Sequence, residues 1–112
     1  MTIFEKIANH EIPAKLVHED EYLIAFHDIN PQAPYHIVIV PRKPIPSLTS
    51  LTRDDTELMG KMTLLASELA QKLGFADEGY RLVINCGKNG GQTVDHIHMH
   101  LLGGRQLAWP PG

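Results

Sequence analysis

The stretch Val94-Asp95-His96-Ile97-His98-Met99-His100-Leu101-Leu102 sets three imidazoles in strict alternation with apolar side chains. On an extended chain the side-chain period is two, so His96, His98 and His100 share one face and Ile97, Met99 and Leu101 the other. The apolar face is suited to packing on a core. The opposite face needs water, a metal or an anion, because stacked imidazoles are costly to bury without polar partners. The run predicts a last strand over 94–102 in a sheet whose two faces do different work.

Outward from this strand, Gly87-Lys88-Asn89-Gly90-Gly91 reads as a loop and Tyr80 to Cys86 as the strand that enters it. Further upstream, Leu58, Met62, Leu65, Leu69 and Leu73 form one stripe of an amphipathic helix. Thr52 and Asp55 supply its start signal and Gly74 its stop. Met59 and Met62 lie at helical spacing and are read as core. Beyond the Pro44/Pro46 loop, the β-branched run His36 to Val40 is the central-strand candidate. It is delivered by the turn Asn30-Pro31-Gln32-Ala33-Pro34 and closed by Pro41. Lys15 to Glu19 and Tyr22 to Asp28 read as a hairpin around Asp20-Glu21. Thr2 and Glu5 form a capping-box pattern for a short first helix that carries Phe4, Ile7 and Ala8 on one side and is ended by Pro13. Five strands and one long helix imply an α+β fold over residues 1–112, a single domain with an antiparallel sheet and the helix packed on one face.

Composition narrows the function. Ten Lys and Arg stand against thirteen Asp and Glu, a net charge of −3, and no basic block is present. A nucleic-acid polymer, which needs a clustered basic face, is not the expected partner. The single cysteine, Cys86, makes no intramolecular disulfide and no Cys-rich zinc site. No run of about 18 apolar residues would span a membrane, and the first residues lack a long apolar leader, so the expectation is a cytoplasmic protein without a membrane partner. A chain this short buries only about two-thirds of its unfolded surface, which favours a homodimer.

Two chemistries fit three imidazoles on one strand. Two of them at i and i+2 can chelate zinc, with a third ligand from elsewhere, or they can act at phosphorus as nucleophile and general acid or base. The glycine loop favours phosphate. Gly87, Gly90 and Gly91 let backbone N–H groups converge on an anion, and Asn85, Gln92 and Thr93 carry further donors. It is not a P-loop, because Gln92 and Thr93 follow where that motif needs Lys and Ser or Thr.

The run His96 to Leu102 resembles the signature of the histidine triad family, His-φ-His-φ-His-φ-φ with φ apolar. Similarity to the Hint branch covers nearly the whole chain, through Ala25 to Ile29, Pro31 to Pro34, His36, Gly90-Gly91-Gln92 and Trp109-Pro110-Pro111-Gly112. The resemblance implies hydrolysis of purine nucleoside 5′-phosphoramidates of the adenosine type to a nucleoside monophosphate and an amine. It makes His98 the nucleophile, with His96 orienting it, and has His100 and His36 contacting phosphate or assisting the leaving group. A protonated imidazole would then supply the amine's proton. The resemblance further implies that Asp28 binds the ribose hydroxyls, that Phe4, Ile7, Phe26 and Ile29 form the purine slot, and that Asn85, Gly91, Gln92 and Thr93 lie on the phosphate side. Thr93 stands where serine is frequent, and Asp95 where an aromatic is. No metal and no cofactor is implied, which suits a chain read as having no acidic or Cys ligand cluster beside the triad. The sheet would extend across a homodimer, and the 103–112 tail would carry Trp109 to the partner's pocket.

Overall fold

The computed structural model describes residues 1–112. Its elements, in chain order, are α1 (Ile3–Ala8), β1 (Leu16–Glu19), β2 (Leu23–His27), β3 (Tyr35–Pro41), α2 (Thr56–Lys72), β4 (Tyr80–Val83) and β5 (Met99–Gly103). One five-stranded sheet of order β1-β2-β3-β5-β4, antiparallel throughout, carries them. This is the expected fold class, with the expected long helix. No helix is long and apolar enough to cross a membrane.

Alternation along the central strands sorts the core into two clusters. Leu23 and Ala25 on β2, Ile37 and Ile39 on β3, and Met99 and Leu101 on β5 meet Met62, Leu65, Ala66, Leu69 and Ala70 of α2, so this face buries the helix stripe. The intervening residues Ile24, Phe26, Val38 and Val40 meet Phe4, Ile7 and Ala8 of α1 on the other face. The short first helix thus covers part of the second face and leaves the rest to the histidines.

Local signals place both helices. Thr2 accepts from the Glu5 N–H while Glu5 accepts from the Thr2 N–H, a complete capping box. At the turn that leads into α2 the Thr52 N–H donates to the Asp55 carboxylate at 3.0 Å and the Asp55 N–H to the Thr52 carbonyl, and Gly74 (φ 87°) turns the chain away after it. Three boundaries differ from expectation by more than one residue. The first helix ends at Ala8 rather than at Pro13, because His10 adopts φ 60° and the Glu11 N–H returns to the Lys6 carbonyl. The fourth strand stops at Val83, short of Cys86. The last strand begins at Met99, not at Val94: the Ile97 N–H donates at 2.7 Å to the Ile45 carbonyl in the loop after β3, so residues 94–98 approach the sheet without joining its ladder.

Candidate functional site

His98 immediately precedes β5 and His100 is its second residue, beside His36 of β3. Strand pairing sets Val38 opposite His100, which makes His36 its diagonal neighbour, and the two rings join through His36 Nε2 and His100 Nδ1 at 2.9 Å. The ring centroids of His98 and His100 are 5.0 Å apart. Phe4 of α1 packs edge-on against His98 at 4.8 Å and against Phe26 at 5.8 Å. His96 is fully buried in the bend before β5, so the three imidazoles are not one exposed row.

Backbone groups fix the protons on these rings. A carbonyl only accepts, so His98 Nδ1, 2.7 Å from the His96 carbonyl, carries the hydrogen and leaves Nε2 with its lone pair. His96 Nε2 likewise donates to the Pro41 carbonyl at 2.7 Å, while its Nδ1 lies 3.1 Å from the Thr2 hydroxyl. At His36 the polarity reverses. Its Nδ1 accepts from the Gln32 N–H at 3.0 Å, so the neutral ring carries its hydrogen on Nε2 and donates it to His100 Nδ1. Neutral His100 then carries its own hydrogen on Nε2.

Burial holds three of these rings neutral. It lowers the His98 pKa, with the His96 carbonyl opposing, and the His36 pKa, with the Asp28 carboxylate opposing. His100 is pushed from 6.5 down to about 4 by burial first, then by His98 and His36. Desolvation outweighs the single nearby carboxylate. A stability effect follows. Between pH 6.5 and about 4 the unfolded chain binds a proton that folded His100 refuses, so stability rises with pH through that window and is lost as pH falls. Denaturant unfolding is expected to show a loss of about 2 kcal/mol from this ring on acidification, allowing for its partial exposure, with His36 and His98 adding in the same direction. A His100→Asn variant whose profile matched the wild type would contradict this.

Asp28, at the end of β2, accepts from the Asn30 N–H through Oδ1 and places Oδ2 3.5 Å from His36 Nε2. One ligating atom each from Asp28, His36 and His100 lies within 4.8 Å of the others. The structure therefore does bring an acidic group to the histidines, contrary to the sequence expectation, because Asp28 directly follows β2 and its N–H donates to the carbonyl of His36 near the start of the adjacent β3. The donor set nonetheless opposes a metal. A neutral histidine bound through Nε2 must keep a hydrogen on Nδ1 and usually donates it outward. At His36 the Gln32 N–H points at that nitrogen instead.

The remaining residues expected at the site are placed as follows. Ile7 and Phe26 are buried with Phe4, whereas Ile29 is entirely exposed. The glycine loop is braced internally: Asn85 Nδ2 donates to the Gly90 carbonyl at 2.7 Å and Gly87 N to Gln92 Oε1 at 3.0 Å. Both hydrogens of the Gln92 amide are engaged, by the Pro46 and Val94 carbonyls, so this side chain holds the loop in shape. Gly91 (φ 78°) turns the loop, and Thr93 and Asp95 are exposed. Trp109 is 81% exposed, on a tail held to its own chain by Arg81 and Arg105. A cavity of about 540 Å³ lies away from the histidines, between Gly74–Arg81 and Gly104–Leu107. Thr2, Gln32 and Pro41 escape the sequence reading. Only the Thr2 capping signal is visible there, and it predicts a helix start rather than a contact with His96.

Known proteins share this fold. The HIT domain matches residues 9–107. A HIT-like protein of Synechocystis sp. is 52% identical over 111 residues, covering 99% of this chain and 96% of that protein. The crystal structure of a HIT family hydrolase from Legionella pneumophila superposes with a TM-score of 0.98 at 51% identity, each chain fully covered. A histidine triad nucleotide-binding protein from Candida albicans gives 0.82 at 29% identity, covering 98% of this chain and 83% of that one.

Proposed function

The chain belongs to the HIT domain family, and on that premise we propose that it hydrolyses purine nucleoside 5′-phosphoramidates through a nucleotidyl intermediate on His98. The observation that carries this reading is the 2.7 Å bond from His98 Nδ1 to the His96 carbonyl, which leaves a neutral Nε2 lone pair beside His100. The Legionella relative, described as a hydrolase, and the Candida relative, described as nucleotide-binding, point the same way.

In the proposed reaction His98 Nε2 forms a bond to the α-phosphorus as the phosphorus–nitrogen bond of the substrate breaks, and the departing amine takes up a proton. Water then attacks phosphorus, the bond to His98 breaks, and the nucleoside monophosphate leaves as the ring returns to its neutral state. The His100 Nε2–H donates to a phosphate oxygen. Anionic phosphate beside these rings raises their proton affinity, so a protonated imidazole for the leaving amine arises in the complex rather than in the free protein. No step calls for a metal or cofactor. Asp28 takes the ribose hydroxyls; Phe4, Ile7, Phe26 and Ile29 flank the purine; Asn85, Gly91, Gln92 and Thr93 shape the phosphate side.

The same reading joins two chains edge to edge along β4, an outer strand with Tyr80 exposed, and gives Trp109 to the partner's pocket. Sedimentation at twice the chain mass is expected, and a monomer would overturn the pairing. The chemistry is tested by trapping labelled enzyme during turnover and mapping the label. Label on His98, with turnover unaffected by chelators and faster on an adenosine phosphoramidate than on a diadenosine polyphosphate, is the expected result. Label elsewhere, or loss of activity on metal removal, overturns it.

A further inference from the structure

We propose that Arg105, in the C-terminal tail, is a positioning residue that sets the proton arrangement of the His36–His100 pair by holding Gln32. Arg105 Nε donates to the Gln32 carbonyl at 3.1 Å, the Gln32 N–H donates to His36 Nδ1 at 3.0 Å, and His36 Nε2 lies 2.9 Å from His100 Nδ1. The series runs in one direction. It begins at a guanidinium, which only donates, and ends with the His100 hydrogen on Nε2.

The segment 30–34 contains two prolines and belongs to no helix or strand. At its start the Asp28 carboxylate accepts from the Asn30 N–H at 2.8 Å, and the Gln32 amide reaches back to the Asn30 carbonyl. Gln32 itself is exposed; its N–H is held by His36 and its carbonyl by Arg105, from 73 residues away. The tail is fitted to this task. Gly104 (φ 91°) lets it pass so close to the segment that a Cβ there would sit 2.9 Å from Pro34 Cβ and 3.0 Å from the Tyr35 ring. A second guanidinium nitrogen donates to the Gln106 carbonyl at 3.0 Å and so orients the fork.

The consequence reaches the reacting centre by a change of sign. With Gln32 released, His36 is free to carry its hydrogen on Nδ1 and to accept through Nε2. His100 Nδ1 must then donate, and His100 Nε2 presents a lone pair. A group that attracts a phosphate oxygen becomes one that repels it. The kinetic part of this inference rests on the hydrolase reading above; the tautomer part does not.

Long-range proton–nitrogen correlation spectra of isotope-labelled free protein near neutral pH read the ring tautomers without substrate. Wild-type His36 and His100 are expected as single neutral Nε2–H forms. Arg105→Met, which keeps the apolar stem and removes the donors, is expected to shift both rings toward Nδ1–H. It should also lower kcat about three- to tenfold with KM less affected, the scale of one ordinary net hydrogen bond. Arg105→Lys, which retains a cationic donor, is expected to restore most of both. Wild-type ring-nitrogen signals in Arg105→Met overturn the proposal, whereas absence of phosphoramidate turnover in the wild type overturns the hydrolase reading and leaves the tautomer result standing.

Discussion

His98→Ala is expected to lose phosphoramidate turnover by on the order of 10⁴-fold or more, together with all trappable nucleotidyl-enzyme. The size of the effect follows from what the ring supplies. Its Nε2 is the lone pair that the His96 carbonyl leaves free, and with the ring neutral that nucleophile needs no prior deprotonation. In the proposed reaction, truncation removes the bond-forming atom itself, so hydrogen-bonding groups nearby cannot replace it. His98 is also mostly buried against Phe4, so some stability is lost with the ring. Nucleotide affinity measured by calorimetry separates the two consequences: binding is expected to persist in a folded variant that no longer turns over. Turnover within tenfold of wild type would exclude direct attack by this residue.

Gly90→Ala is expected to reduce kcat/KM by on the order of 10²-fold, a loss typical of a displacement of about 1 Å at a site that works by position. A Cβ at Gly90 would lie 2.3 Å from the Cys86 carbonyl oxygen and 2.9 Å from the Cys86 nitrogen. Both are backbone atoms and cannot step aside as a flexible side chain could. The loop must open between 86 and 90, and the Asn85 bond to the Gly90 carbonyl opens with it. The loop adds little to the core, so thermal unfolding should move far less than activity. Gly60→Ala is the control: it lies within α2, a Cβ there meets nothing within 4 Å, and helix propensity should raise stability by up to about 1 kcal/mol. Wild-type kcat/KM in Gly90→Ala would show that loop shape does not govern the reaction.

The parts of the fold legible in the sequence are those set by near neighbours. The apolar stripe of α2, the alternation on β2 and β3, and the capping residues Thr2 and Thr52 all act within a turn or a strand of themselves. Period-two reasoning also explains why His98 and His100 are adjacent and why Met99 and Leu101 pack on α2. It also keeps His96 on the α1 side with His98, both rings meeting Phe4, but does not reveal its burial outside the ladder: the backbone bond that holds residue 97 there goes to Ile45, and the carbonyl that binds the His96 ring comes from Pro41. No pattern within 94–102 contains those partners. The Asp28–His36–His100 group is hidden for the same reason: two strands and a turn must close before a carboxylate at 28 meets an imidazole at 100. Charge states were the least legible, since burial that lowers the His100 pKa is a property of the packed molecule.

The placement of His36 on β3 has a further consequence. That strand has ladder neighbours on both edges and a packed cluster on each face, so its amides should exchange with solvent only when the whole domain opens. The exposed loop at 87–91 belongs to the opposite extreme of protection. Motion confined to that loop would leave the His36–His100 pair in register.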